Sequence, residues 1–183
     1  MYKKYFKALN LIRKMNMGIR KGKNSDIDDI MSIKNAVVIL MKESGNNQWS
    51  ESYPARDTLL NDIENENLYI YEEDGKVLGF IVADDHHAYE YDDIPWELAR
   101  LDSIAFHRAA VDPRAQGQGI ASKLFDEVEE YFKNEGYLGV HTDTNLNNLP
   151  MQKLFEKRGY EYKGKLNLHN NLNEWYVAYE KVF

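Results

Sequence analysis

The stretch "AAVDPRAQGQGIASKLFDE", residues 109–127, limits the fold more than any other feature of the chain. It places Gly117 and Gly119 between a run of strand-forming residues and an amphipathic run with helical spacing. A strand that leads through glycines into a helix leaves backbone N–H groups without partners, and such a concavity binds anions, phosphates in particular. The glycines allow close approach and positive φ, and Arg114 adds a permanent charge. The pattern therefore predicts a phosphate-binding loop.

Two common nucleotide-binding motifs do not fit this loop. The dinucleotide fingerprint needs a third glycine where this chain has Ser122, and the G-K-[ST] end of a P-loop is absent. The predicted phosphates therefore belong to another ligand.

Composition narrows the class of protein. A length of 183 residues favours one domain, and 43% apolar with 29% charged residues is typical of a soluble globular protein. The chain has no cysteine, which excludes disulfides, thiolate metal ligands and a thiol nucleophile. It has no apolar run of about 20 residues and no secretory h-region, so we expect a cytoplasmic protein.

Charge is unevenly distributed between the two ends of the chain. Residues 1–16 contribute +5 to the net charge of −7, so residues 17–183 carry −12. Such an acidic body disfavours nucleic acid and favours cationic partners, unless the charge serves only solubility. We predict a basic extension over 1–16 and one domain over 17–183. We expect an ordinary terminal extension and therefore no membrane partner. The alternative is a short basic helix that contacts a membrane surface, a partner or a second copy in a homodimer.

The hydrophobic pattern predicts the order of elements. Its clearest element is a hairpin that turns at Asp74-Gly75. The other predicted elements are a strand from Met17, helices over 25–43 and 56–66, a strand over 103–111, a helix from Ile120 to Gly136, a strand over 137–144, a helix from Asn148 to Gly159, and strands over 160–164 and 175–182. This order predicts an α/β fold with a mixed (α+β) sheet.

The chain resembles the GNAT superfamily of N-acetyltransferases at two blocks. Arg114-Ala115-Gln116-Gly117-Gln118-Gly119 matches that family's acetyl-CoA motif, [RQ]-x-x-G-x-[GA], and "NLPMQKLFEKRGY" is similar to its second block. The resemblance implies a GNAT-like fold, with a mostly antiparallel twisted sheet of six to seven strands and about four helices. It also implies acetyl-CoA as cosubstrate and no metal.

The resemblance further implies which residues bind acetyl-CoA. The main chain of Ala109 and Val111 would pair with the pantetheine arm, Asn148 would hydrogen-bond that arm or the adjoining phosphate region, and Met151 would pack beside it. We expect Arg108 to be a structural ion-pair partner or a surface residue and not a CoA ligand. The pyrophosphate would be held by the backbone N–H groups of Gln116, Gly117, Gln118, Gly119, Ile120 and Ala121.

Acetyl transfer to an amine needs a proton acceptor and a donor to the carbonyl oxygen. Without cysteine, direct attack in a ternary complex is the simplest mechanism. Strand alternation predicts that His107 shares a face with Ala105, Ala109 and Val111, and an ordinary histidine pKa of about 6.5 suits a base; the alternative is a histidine that only packs. The family places a strand N–H, here around Ala110 or Val111, at the oxyanion. His141 and Glu97 are weaker candidates for the base.

One position departs from the family pattern. Many members have a tyrosine seven residues after the asparagine of the second block, where it protonates the departing sulfur; this chain has Phe155. Either Tyr160 or a water supplies the proton, or the thiolate leaves unaided, which a thiol pKa near 8.5 allows.

Three segments are expected to border the acceptor site: "GNNQWSESYP", "HHAYEYDDIPWELAR" and "KLNLHNNLNE". The middle segment suits a cationic amine, unless it is only a solvated loop, because it mixes carboxylates with aromatic faces. Its relevant residues are Glu90, Asp92, Asp93 and Glu97 among Tyr89, Tyr91 and Trp96. We predict a small primary amine or amino-acid-like acceptor. The alternatives are acetylation of protein lysines or N-termini, and a non-catalytic module that binds acyl-CoA.

Overall fold

The computed structural model describes residues 17–168 and 174–183, so the predictions for residues 1–16 lie outside the described residues. The described residues contain seven strands and four α-helices. In chain order they are β1 (Met17–Lys21), α1 (Ile27–Glu43), α2 (Arg56–Glu64), β2 (Leu68–Glu73), β3 (Lys76–Asp84), β4 (Ser103–Val111), α3 (Ile120–Asn134), β5 (Gly139–Asn145), α4 (Leu149–Lys157), β6 (Glu161–Leu166) and β7 (Tyr176–Val182).

The strands form one sheet in the order β1-β2-β3-β4-β5-β7-β6. Only the central pair, β4 and β5, is parallel; every other neighbouring pair is antiparallel. Apolar side chains of α3 and α4 pack on one face, and those of α1 and α2 pack on the other. The prediction of a mixed sheet with six to seven strands and about four helices is confirmed, with seven strands and four α-helices in the described residues.

Local sequence explains most of the element boundaries. The hairpin between β2 and β3 turns at Asp74 (φ 52°) and Gly75 (φ 76°), the two positive φ values that a type I′ turn requires. The predicted start of α1 at Ser25 is wrong, because residues 24–26 form a 3₁₀ turn. There the Asp26 carboxylate accepts the Lys23 N–H and binds the Arg20 guanidinium.

No helix in the described ranges combines the length and the apolar character that crossing a bilayer would require.

Candidate active site

The two parallel strands at the centre of the sheet separate halfway along their length. β4 and β5 pair from Ser103–Gly139 to Phe106–Thr142, where the Thr142 hydroxyl donates to the Phe106 carbonyl at 3.0 Å. Beyond that point β4 continues along β3, and β5 continues along β7. Backbone groups of both strands therefore face a gap, and buried backbone groups require partners. An extended ligand can supply them.

A cleft occupies this gap. It encloses about 390 Å³, part of it open to solvent. Its walls come from both faces of the sheet, and they are Met41, Gln48, Trp49, Phe106, His107, Arg108, Ala109, Phe125, Thr142, Asp143, Thr144, Asn148, Met151 and Phe155. The structure thus brings together four of the predicted site residues, His107, Ala109, Asn148 and Met151. Val111, Arg114 and residues 116–121 are not among the residues that line this cleft.

The direction of the β4 amides distinguishes Val111 from Ala110, the two residues predicted to supply an N–H to the oxyanion. Just beyond the last β3–β4 pair, Gly79 with Val111, the Asp112 N–H donates to the Leu78 carbonyl at 2.8 Å. Because N–H directions alternate along an antiparallel strand, the Val111 and Ala109 N–H groups point away from β3 and toward the gap, whereas that of Ala110 points to β3. This geometry favours Val111.

The glycine loop lies between the end of β4 and α3. Gly117 (φ 81°) and Gly119 (φ 73°) both adopt the left-handed conformation, and a Cβ added at either would meet no atom within 4 Å. The glycines are therefore not required by packing. Their conformation and the space beside them fit a close approach of phosphate to the backbone.

Not all of the predicted amides are available in this loop. The N–H of Gln116 donates to Pro113 O at 3.2 Å, and that of Gln118 lies 3.4 Å from Ala115 O. The first turn of α3 leaves the N–H groups of Ile120 and Ala121 without intrahelical acceptors. The amides of Gly117, Gly119, Ile120 and Ala121 thus make the more suitable anion site.

Arg114 and Asn148 are both oriented by nearby side chains. Arg114 is mostly exposed and pairs with the buried Asp112 carboxylate at 2.8 Å, which partly neutralises its charge at the rim. Asn148 caps α4 through a 3.4 Å bond from the Met151 N–H, and its side-chain amide donates to the Thr144 hydroxyl at 2.9 Å. The cap role is therefore observed, while contact with a pantetheine arm stays a prediction.

A β-bulge in β4 puts His107 on a different face of the sheet from Ala109 and Val111. His107 pairs with Val82 and Ala110 with Phe80, so Arg108 and Ala109 together oppose Ile81, and Arg108 takes φ 43°. Alternation inverts across such an extra residue. Ala109 and Val111 pack toward α3, like Phe106 before the bulge, so the prediction that His107 shares their face is wrong.

His107 lies on the face of the sheet that α1 and α2 cover, because its pairing partner Val82 packs there. We call the part of the cleft on this face the acceptor side, since we expect the acceptor there. Its Nε2 lies 3.3 Å from the Asp84 carboxylate and 3.1 Å from the His86 carbonyl, and both of these oxygens are acceptors. Nε2 therefore carries the proton, which assigns the lone pair to Nδ1. Burial alone would raise the pKa of Asp84, but the bonds from His107 and the His86 N–H hold that pKa below its ordinary value. The result is an imidazole oriented by a carboxylate.

The weaker base candidates lie elsewhere. His141 is fully buried, with Nε2 2.9 Å from Glu180, Nδ1 3.1 Å from Ser103, and its ring stacked on Trp96 at 4.0 Å. Burial lowers the pKa of His141, although Glu180 opposes this. The Glu97 side chain is exposed, and its backbone N–H donates to the Glu180 carboxylate at 3.0 Å. Neither side chain lines the cleft.

The proposed cation site in the loop 86–100 is not assembled as predicted. Tyr91 and Trp96 turn inward and pack with Leu166, and Tyr91 donates to Asp143 at 2.6 Å. The carboxylate Asp92 pairs with Arg100 instead, at 2.6 Å, on the exposed side of the loop. Tyr91 and Trp96 thus pack against the fold, whereas Tyr89 is exposed, as are Asp92 and Asp93. "KLNLHNNLNE" includes residues 169–173, which lie outside the described residues.

The sequence analysis missed several residues that line the cleft or hold its lining residues in place. Asp143 lines the acceptor side, Asp84 orients His107, and Asp62 of α2 pairs with Arg108 at 2.8 Å, which shows Arg108 as an ion-pair partner. Gln48 accepts the Asn145 N–H at 3.2 Å and so ties the α1–α2 connection to β5. Each depends on contacts between residues far apart in the chain, which no local pattern predicts.

Tyr160 does not replace the missing tyrosine at Phe155. Its hydroxyl donates to Glu129 at 2.8 Å behind Phe155, and burial raises the pKa of Tyr160 well above its ordinary value. The proposal that it protonates the sulfur is therefore wrong. A water or unaided departure of the thiolate remains.

The substitution Tyr160→Phe tests whether Tyr160 protonates the departing sulfur. We expect an unchanged kcat, with a loss of about 1–2 kcal/mol in the free energy of unfolding because buried Glu129 loses one donor. Tyr179→Phe is the matched control, since its hydroxyl lies 3.5 Å from Glu156 and should contribute less. Urea denaturation and initial rates measure both quantities; a kcat lowered tenfold or more by Tyr160→Phe would restore its role as an acid.

Among the residues that the structure describes, no cluster of three histidine, aspartate or glutamate side chains is arranged to hold a metal ion.

Comparison with known proteins assigns the chain and its fold to a family. The family model of the acetyltransferase (GNAT) family matches residues 35–160. The chain belongs to the GNAT acetyltransferase family. Acetyl transfer from acetyl-CoA is the activity that membership implies. The comparison with curated proteins gave no match.

Solved structures agree with the GNAT assignment. A GNAT-family acetyltransferase from Streptococcus agalactiae 2603 is 29% identical with a TM-score of 0.82, covering 91% of this chain and 95% of that chain. A Staphylococcus aureus Mu50 protein assigned as an acetyltransferase is 33% identical with a TM-score of 0.70, covering 90% and 97%. The ribosomal-protein-S18-alanine N-acetyltransferase from Escherichia coli shares the fold at 15% identity and a TM-score of 0.64, covering 91% and 93%.

Proposed function

We propose that this GNAT protein is an N-acetyltransferase that moves the acetyl group of acetyl-CoA directly onto a primary amine of a small molecule. The observation that carries the proposal is the position of the β4–β5 gap. It begins at His107, just after the last paired residues of β4 and β5, and runs beside β4 toward the strand end where the glycine loop starts, so one extended ligand could reach the loop amides while its reactive end faces His107.

The chain's own groups account for each step of the transfer. The amine nitrogen attacks the carbonyl carbon, and the Val111 N–H faces the oxygen that gains negative charge. His107 Nδ1 accepts the proton that the amine loses, and Asp84 stabilises the imidazolium. The C–S bond then breaks, and the sulfur leaves as a thiolate or takes a proton from water.

One observation favours a small acceptor over a protein. Gln48 lines the cleft and accepts the Asn145 N–H, so the α1–α2 connection is tied to β5 and bounds the cleft on that side. Acetylation of a protein N-terminus, the activity named for the E. coli neighbour, stays the alternative. A binding module without catalysis is disfavoured by the oriented His107. We also propose no nucleic-acid or membrane partner, on the acidic charge of residues 17–183, and a cytoplasmic location.

Thiol release from acetyl-CoA tests the proposal. The purified protein would be assayed with amino acids, polyamines, aminoglycosides and short peptides, and the acetylated product confirmed by its mass. We expect turnover with one class of small amine. Turnover with peptides alone would contradict the small-acceptor assignment, and CoA binding without turnover of any amine would contradict catalysis.

His107→Gln tests the base. We expect kcat to fall about 10²- to 10⁴-fold, the usual contribution of general-base catalysis, and one ionisation to disappear from the pH profile of kcat/KM. His86→Gln is the matched control because the His86 ring is exposed and only its backbone contacts this site. A pH profile that His107→Gln leaves unaltered would make His107 a packing residue.

A further inference from the structure

The charged groups of the cleft are few and of opposite sign. Of the described side chains that line it, Arg108 is the cation, Asp143 is the carboxylate, and His107 is the titratable imidazole. The other lining residues on the acceptor side include Met41 and Trp49, which are apolar. A lining of this kind suits a ligand that carries both charges and an apolar part.

Arg108 presents a suitable edge for a carboxylate. Its Nε and Nη2 donate to the two oxygens of Asp62 at 2.9 and 2.8 Å, a side-on arrangement that uses two of its five donors. Asp62 does not use the end of the guanidinium, which is formed by Nη1 and the second hydrogen of Nη2. That edge matches a carboxylate in bidentate geometry. The Tyr53 hydroxyl also interacts with this guanidinium through a hydrogen bond.

The β-bulge brings this guanidinium to the acceptor side. Arg108 is the extra residue of β4, and its side chain reaches α2 instead of the α3 face. Asp62 holds it from behind, so the position of the guanidinium is fixed before a ligand arrives. Preorganised charge of this kind costs little reorganisation on binding.

The opposite wall can receive an ammonium. The β4–β5 register pairs Ala105 with His141, so His107 and Asp143 are equivalent neighbours one step beyond the last paired rung. Tyr91 donates to one oxygen of Asp143 at 2.6 Å and orients this carboxylate. An amine placed here faces both a carboxylate and the proposed base.

We propose that the acceptor is an α-amino acid with an apolar side chain, whose carboxylate binds Arg108 and whose amino group lies between Asp143 and His107. Met41 and Trp49 contact its side chain. This inference rests on the proposed function and names the substrate class of the same cleft.

Three matched forms of one acceptor test it on the wild-type protein. Phenylalanine, phenylalanine amide and phenethylamine share the amine and the ring, and only the first has a carboxylate; methionine and its two counterparts repeat the series. We expect kcat/KM for the amino acid to exceed that for the amide and the amine by about 30- to 100-fold, the effect of a charge-assisted hydrogen-bond pair.

Substitution of the guanidinium identifies the group responsible. Arg108→Lys keeps the charge but loses the bidentate edge, so we expect KM for the amino acid to rise and the ratio of acid to amide to fall toward one. Asp62→Asn keeps the guanidinium, and we expect it to retain the ratio even if the rate falls.

The outcomes separate the two proposals. Equal turnover of acid, amide and amine by the wild type would overturn the substrate class and leave N-acetyl transfer intact. An undiminished ratio in Arg108→Lys would overturn the role of Arg108. Intact CoA binding with no turnover of any amine would overturn the proposed function itself, and this inference with it.

Discussion

Gly119→Val is expected to weaken CoA binding at least about 100-fold. A valine side chain would occupy the open space beside Gly119 and keep phosphate oxygens from the amides of Ile120 and Ala121. Losing two hydrogen bonds to a charged group at about 1.5–3 kcal/mol each accounts for this factor. Isothermal titration calorimetry with CoA measures the change.

The same substitution also strains the backbone, and the chain offers a control for that effect. Gly119 has φ 73°, where a residue with a Cβ costs about 1–2 kcal/mol. Gly136, just beyond the other end of α3, has φ 99° and likewise no atom within 4 Å of an added Cβ. Gly136→Val should therefore lower the free energy of unfolding similarly but leave CoA affinity intact. Equal CoA affinity in both variants would contradict the phosphate-loop assignment.

Glu180→Ala is expected to lower the free energy of unfolding by about 3–5 kcal/mol, the cost of removing one partner from a buried charged network. The Glu180 carboxylate is fully buried and accepts the N–H groups of Glu97 and Leu98, the His141 imidazole at 2.9 Å and the Lys163 ammonium at 2.9 Å. Its removal leaves these donors without an acceptor. A lower urea midpoint at unchanged m-value would show the loss.

Glu161→Ala is the matched control for this network. Glu161 also binds Lys163, at 3.2 Å, but its side chain is 75% exposed. Exposed ion pairs contribute about 0–1 kcal/mol, so a small change is expected. Similar losses in Glu161→Ala and Glu180→Ala would contradict the importance of the buried carboxylate.

The Glu180 network also predicts a dependence on pH. Burial would raise the pKa of Glu180, but the Leu98 and Glu97 N–H groups, Lys163 and His141 together hold that pKa below its ordinary value of 4.5. Because the folded pKa is depressed, the carboxylate stabilises the fold above pH 4.5, and this contribution is lost as the pH falls through the folded pKa. Glu180→Gln should lack that part of the acid dependence.

The order of elements and the glycine loop could be predicted from sequence because both depend on local signals. The Asp74-Gly75 turn and the helical spacing after Ile120 each fix structure within a few residues. The positive φ values of Gly117 and Gly119 follow the same logic, and the structure has them.

The acceptor side of the cleft could not be predicted in the same way. Strict alternation along β4 predicted that His107 shares a face with Ala109 and Val111. The bulge at Arg108 breaks this alternation, and it could not be predicted because it depends on pairing with β3. Aromatic residues of the loop 86–100 read as a cation site, but burying Tyr91 and Trp96 against the sheet removes apolar surface from water. The position of Asp143 next to His107 could not be predicted, because it depends on the pairing of β5 with β4.

A crystal structure of the protein with acetyl-CoA tests the account most directly. We expect the pantetheine arm in the gap between β4 and β5, its pyrophosphate on the amides of Gly117, Gly119, Ile120 and Ala121, and the acetyl oxygen within hydrogen-bond distance of the Val111 N–H. His107 Nδ1 should face the space beside the acetyl carbon. Acetyl-CoA bound outside the gap, or with its acetyl group remote from both Val111 and His107, would contradict the assignment of this cleft as the active site.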